Sequence, residues 1–140
     1  IEFELTESVF MDSSRELDNM LGRLRGQGFR LSIDDFGTGY SSLAYLRRLP
    51  VGRIKLAQEF IRDVPMDPGA STIVEAAIAI ARAFGMTVIA EGVETAEQIA
   101  LLKKWGCHEI QGYLYSPPRA PDELRSLLLA GRIRPAPAKP

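Results

Sequence analysis

The stretch FRLSIDDFGTGYSS, residues 29–42, decides how the rest of the chain is read. Phe29, Leu31 and Ile33 alternate with Arg30, Ser32 and Asp34, the period of a β-strand with one face turned to a core. The run ends on two adjacent carboxylates, Asp34 and Asp35, and a loop rich in glycine and hydroxyls follows. A strand that delivers acids to a glycine turn suits a parallel α/β sheet, where ligands bind beyond the carboxyl ends of the strands.

Short apolar runs at residues 1–5, 53–57, 86–90 and 108–112 have the same character, so with 29–34 five strands are expected. Helical patterns lie between them. Ser13 to Glu16 reads as a capping box ahead of Leu17, Met20, Leu21 and Leu24, and a short helix over 41–48 stops before Pro50. Residues 70–84 carry Ile73, Val74, Ala77, Ile78 and Ala81 at helical spacing and end at Gly85. Thr95 to Gln98 is a second capping box, opening a helix to Trp105, and Pro121 starts a last one through Leu124, Leu127 and Leu128. Strand and helix alternate five times, which gives an α/β class with a parallel sheet.

The composition bounds the function. In 140 residues, 46% hydrophobic and 25% charged, the chain is long enough for one domain with a real core. A net charge of -1 gives no electrostatic case for long nucleic acid or an anionic membrane. It leaves room for a small, highly charged ligand bridged by metals. Cys107 is the only cysteine, so no disulfide framework or thiolate zinc site is available and a reducing, cytoplasmic setting is expected. The apolar tract 73–90 is broken by Glu75 and Arg82 and is too polar for a membrane span. The chain opens on Ile1 without Met, as expected of a piece of something longer, and residues 132–140 read as a Pro/Ala-rich tail.

Strand alternation then groups side chains by face. Ile1, Phe3, Leu5, Leu31, Ile33, Ile54, Leu56, Val88, Ala90 and Ile110 form an aliphatic stripe for the helices to cover. The opposite face gathers Glu4, Asp34, Lys55, Glu91 and Gln111, mostly at carboxyl ends. Carboxylates around one lysine and one amide make an oxygen-rich site for hard divalent cations, and the Asp34-Asp35 pair can bridge two ions. Gly37 and Gly39 permit close approach of backbone N–H groups to an anion. Two metals and a glycine loop fit hydrolysis of a phosphodiester. Lys55 then orients the attacking water, and Glu91 ligates a metal or takes the proton. Asp35-Phe36-Gly37 also occurs in protein kinases, but neither a glycine-rich nucleotide loop nor a His-Arg-Asp loop accompanies it.

Four stretches, FELTES from Phe3, IDDFGTGYSSLAYLRRLP from Ile33, IAEGVET from Ile89 and QGYLYSPP from Gln111, resemble the EAL domain, the cyclic di-GMP phosphodiesterase family. The resemblance implies a TIM-like barrel that hydrolyses cyclic di-GMP to linear pGpG with two Mg²⁺ or Mn²⁺ ions. It implies metal ligation by Glu4, Asp34, Asp35 and Glu91, and water activation by Lys55 and Glu91. Gln111 and Glu94 would bind substrate or support the site. Glu7 would anchor the loop holding Gly37, Thr38 and Gly39, which in the family couples substrate binding to dimerisation. A homodimer, with fusion to sensor or cyclase domains, is implied as well.

Two departures qualify that reading. The family's earlier half, with its Glu-Ala-Leu motif and a later Asn ligand, has no counterpart here. Residues 1–131 are therefore expected to be the C-terminal portion of an EAL domain, about five β/α units of an incomplete barrel, inactive by themselves. The family usually reads Lys-(Ile/Leu)-Asp where this chain has Lys55-Leu56-Ala57, which raises the alternative of a degenerate cyclic di-GMP receptor. The phosphodiesterase reading keeps most support, because Glu4, Asp34, Asp35, Lys55, Glu91 and Gln111 all remain. A remote alternative is a receiver-like signalling domain, which also carries acids and a lysine at strand ends.

Overall fold

The computed structural model describes residues 1–6, 9, 14–39, 43–131 and 133. In chain order the elements are β1 (Glu2–Thr6), α1 (Arg15–Gly26), β2 (Arg30–Phe36), α2 (Leu43–Leu46), β3 (Arg53–Leu56) and α3 (Gln58–Arg62). There follow α4 (Pro68–Ala83), β4 (Thr87–Ala90), α5 (Ala96–Trp105), β5 (Glu109–Ile110) and α6 (Pro121–Leu129). The strands form one parallel sheet in the order β1-β2-β3-β4-β5. A receiver-like domain would order them 2-1-3-4-5, reversing direction after the first strand. The sequential order winds one way only, as a (β/α) barrel does, and it overturns the receiver alternative.

The core lies between the sheet and its helices. Leu31, Ile33, Ile54, Leu56, Val88 and Ala90 are buried against Leu21 of α1, Val74, Ile78 and Ala81 of α4, and Leu102 of α5. This is the aliphatic face expected from alternation, with one correction. Ile1 and Phe3 are 93% and 40% exposed, because β1 is an edge strand with a single neighbour. Phe3 meets Phe29 edge-on, with ring centroids 5.2 Å apart.

Helix ends follow local chemistry. Ser14 caps α1 by accepting from Leu17 N at 3.2 Å, and the expected Ser13 cap lies outside the described residues. Asp67 accepts from Gly69 N at 2.7 Å and, with Pro68 next, starts α4 two residues earlier than the periodicity indicated. The Thr95/Gln98 capping box is present, and Gly106 closes α5 in the left-handed conformation. Glu7, the loop residues 40–42, Arg132 and the tail from 134 lie outside the described residues. Among those described, no helix is long and apolar enough to cross a membrane.

Strand ends also differ from expectation. β3 stops at Leu56 rather than residue 57, and Ala57 is the N-cap of α3, a five-residue helix that the apolar pattern did not announce. β5 keeps two residues of the expected 108–112, since its ladder to β4 consists of Ile89↔Glu109 and Ala90↔Ile110.

Candidate metal centre

Two residues adjacent in a regular strand point to opposite faces. Asp34 and Asp35 escape that rule through a bulge. Ile33 pairs with Ile54 and Phe36 with Leu56, so Asp34 and Asp35 together oppose the single Lys55. Asp35 takes the left-handed conformation (φ 51°), and Thr38 donates to its carbonyl from both backbone N (3.3 Å) and Oγ1 (3.0 Å). Both carboxylates are thereby delivered to one place. Asp34, Asp35 and Glu91 each offer an oxygen within 4.8 Å of the others. The expected end of the strand at residue 34 is corrected, since β2 continues through Asp35 to Phe36.

Lys55 is 7% exposed, and its ammonium is shared by three acids. It donates to Asp34 Oδ1 at 2.8 Å, Glu91 Oε1 at 2.9 Å and Glu4 Oε1 at 3.0 Å. Burial alone would lower its pKa. The hydrogen bonds to Asp34, Glu91 and Glu4, with the charge of Glu91, outweigh burial and hold it well above the usual lysine value of 10.5. Because the folded value is raised, its stabilising contribution is complete below pH 10.5 and is lost only as pH rises through the folded value. At neutral pH Lys55 is therefore a cationic donor and not a base.

The donor set fits a hard divalent cation. Asp34, Asp35 and Glu91 supply the clustered oxygens, and Glu4 joins them through Lys55. One ammonium among four carboxylates leaves excess negative charge for a metal to neutralise.

A second layer lies nearer the amino ends of the strands. Arg53 of β3 pairs with Glu2 of β1 at 2.9 Å and Glu109 of β5 at 2.8 Å, and also donates to Thr87 at 3.2 Å. In this layer side chains from two strands away on either side converge on β3, whereas Lys55 draws its partners from β1, β2 and the residue after β4.

Beyond β4 and β5, Glu91, Glu94, Gln111, Gln58, Tyr113 and Arg119 line a cleft of about 590 Å³. Gln111 is fixed there by its backbone, which donates to Ala90 O at 2.8 Å and accepts from Val93 N at 3.1 Å. Gln58, Tyr113 and Arg119 were missed by sequence reasoning. Tyr113, 65% exposed beside Gly112, is the one whose sequence context carried a signal.

Gly37 and Thr38 belong to the turn after the bulge. Gly37 has φ 100°, and a Cβ there would approach Phe60 Cε2 to 2.9 Å. Gly37→Ala is expected to lower stability by about 1–2 kcal/mol, read as a shift in the urea midpoint with unchanged slope. Cys107 is buried, bonds Val88 O and Glu109 O, and has its thiol pushed up to about 11 by burial, so it is an inert core residue.

The family model for the EAL domain matches residues 1–118. The chain belongs to the EAL family. Among curated EAL relatives, the cyclic di-GMP phosphodiesterase NbdA of Pseudomonas aeruginosa is 46% identical over 137 residues, covering 98% of this chain and 18% of its own. The EAL domain of Mycobacterium smegmatis DcpA superposes with a TM-score of 0.89 at 41% identity, over 95% of this chain and 60% of that one. Klebsiella pneumoniae BlrP1, solved as a complex with manganese and cyclic di-GMP, superposes at 0.76 with 37% identity, over 84% of this chain and 30% of that one. The chain spans about a fifth of the length of the curated relatives it matches first, 22% and 18%. Its five strand–helix units correspond to part of the TIM-like EAL fold.

Proposed function

We propose that this EAL segment carries the lysine–carboxylate half of a site that hydrolyses cyclic di-GMP to pGpG with divalent metal, Mg²⁺ or Mn²⁺. The observation behind this reading is the cluster of Asp34, Asp35 and Glu91, two of which, Asp34 and Glu91, also hold a buried Lys55 that remains cationic. Asp34, Asp35 and Glu91 would hold the metal, with Glu4 beside them. When bound, the metal polarises water and offsets phosphate charge. Lys55 Nζ has its three N–H groups on Asp34, Glu91 and Glu4, so a carboxylate drawn to the metal would free one of them to orient the attacking water and stabilise developing negative charge. A carboxylate must then accept the water's proton, and Glu91, 2.9 Å from Lys55, would do so where it does not ligate the metal. Gln111, Glu94, Tyr113 and Arg119 line the cleft in which part of the nucleotide would lie.

A cytoplasmic setting, dimerisation through the intact EAL domain, and fusion to sensor or cyclase domains belong to the same proposal. Incubating the full-length protein with cyclic di-GMP and Mn²⁺ tests it, with pGpG the expected product. Binding without product would favour the receptor reading.

That second reading rests on Ala57, which is 4% exposed and caps α3 without a side-chain hydrogen bond. An Asp there could serve the metal site or simply cap the helix. Ala57→Asp in the full-length protein is expected to raise Mn²⁺-dependent turnover by about tenfold. Improved thermal stability with unchanged turnover would assign the acid to capping.

A further inference from the structure

Gln98 is 3% exposed, one of the three buried polar or charged side chains among the described residues, with Ser32 and Lys55. Its Oε1 accepts from Glu94 N at 2.8 Å and Thr95 N at 3.0 Å, and its Nε2 donates to Ile61 O at 2.9 Å. Capping α5 explains the bond to Thr95. It does not explain the other two. Glu94 lies in the turn that leaves β4, and Ile61 lies in α3, 37 residues before Gln98. One buried amide therefore joins the segments that follow two neighbouring strands.

The same segments meet a second time. Gly92 (φ 67°) packs against the side chain of Gln58 at the start of α3, where a Cβ would collide with it. Glu91 directly precedes Gly92, and Lys55 lies three residues before Gln58. The 2.9 Å contact between Glu91 and Lys55 is thus framed by the β3–β4 ladder on one side and by α3 against the turn on the other.

We propose that Gln98 is a positioning residue for the metal centre, locking the Glu91–Thr95 turn onto α3 so that Glu91 and Glu94 keep their places relative to Lys55. The predicted effect on turnover rests on the hydrolase reading above, whereas the effects on turn geometry and metal affinity do not. Removing the amide leaves two N–H groups without partners in a buried setting and cuts the tie to Ile61 O, which keeps its bond from Val64 N at 3.2 Å. The turn must move to rehydrate the freed N–H groups.

The test uses Gln98→Leu and Gln98→Glu in the full-length protein. Leucine fills the volume and makes none of the bonds. Glutamate still accepts from Glu94 and Thr95 but cannot donate to Ile61. Three quantities are measured: Mn²⁺ affinity by calorimetry without nucleotide, hydrogen exchange at Glu94 and Thr95, and kcat and KM for cyclic di-GMP. Gln98→Leu is expected to weaken Mn²⁺ binding by about tenfold or more and to lower kcat similarly, with KM changed less than about twofold. Exchange at Glu94 and Thr95 accelerates while β2 and β3 keep their protection. Gln98→Glu keeps the two amides protected yet still weakens Mn²⁺ binding, because the tie to α3 is cut. Wild-type Mn²⁺ affinity in either folded variant overturns the proposal, and if the leucine variant does not fold, the glutamate variant decides. Should the wild type bind Mn²⁺ without hydrolysing cyclic di-GMP, the hydrolase reading fails while affinity and exchange still judge Gln98. Absence of Mn²⁺ binding by the wild type overturns both.

Discussion

Lys55→Met is expected to lower turnover of cyclic di-GMP by about 10²–10³-fold while leaving Mn²⁺ bound at least as tightly as before. The two effects separate because Lys55 competes with a metal for the same acids. Its ammonium holds Asp34, Glu91 and Glu4 at 2.8, 2.9 and 3.0 Å. Methionine preserves much of the volume and removes the charge, so those carboxylates are left to a metal or to mutual repulsion. Without metal the variant should lose about 1.5–3 kcal/mol of stability, the range for hydrogen bonds between charged groups. Saturating Mn²⁺ should recover part of it by mass action. In the wild type, no pH limb from Lys55 is expected between about pH 6 and pH 9, since the raised pKa keeps it protonated throughout. A limb in that window that vanishes in Lys55→Met would contradict the assignment.

Asp34→Asn should remove both properties together. Asp34 serves the lysine at 2.8 Å and also belongs to the acidic cluster with Asp35 and Glu91. The amide oxygen can still accept from Lys55, so the sheet should fold, with cooperative unfolding by circular dichroism. A neutral amide is a much poorer ligand for a hard cation. Mn²⁺ affinity and turnover should each fall by more than about 10²-fold. Retained Mn²⁺ affinity would move the metal away from the bulge.

The sequence carried the local half of this structure. Alternation in residues 29–34 and 53–57 placed Asp34 and Lys55 on one face because a strand has a fixed period of two. The Thr95/Gln98 box was legible because its partners are three residues apart. What escaped depends on contacts distant in the chain. The bulge exists only through the pairing of β2 with β3, so although Asp34 and Asp35 were expected to act as a pair, the backbone device that sets them side by side could not be read from β2 alone. α3 follows β3 without a turn signal, and its five residues are too few for an apolar period to declare itself. The second role of Gln98 depends on Ile61, and the sharing of Arg53 between Glu2 and Glu109 joins β1, β3 and β5. The exposed Phe3 followed from its position at the sheet edge, which periodicity does not encode.

The most direct measurement is the rate of pGpG formation from cyclic di-GMP by the full-length protein as Mn²⁺ is titrated in and then chelated. A metal-dependent site built on Asp34, Asp35, Lys55 and Glu91 predicts turnover that rises to saturation with Mn²⁺, stops on chelation and returns on re-addition. No product at saturating Mn²⁺, or an equal rate with the metal chelated, would contradict it.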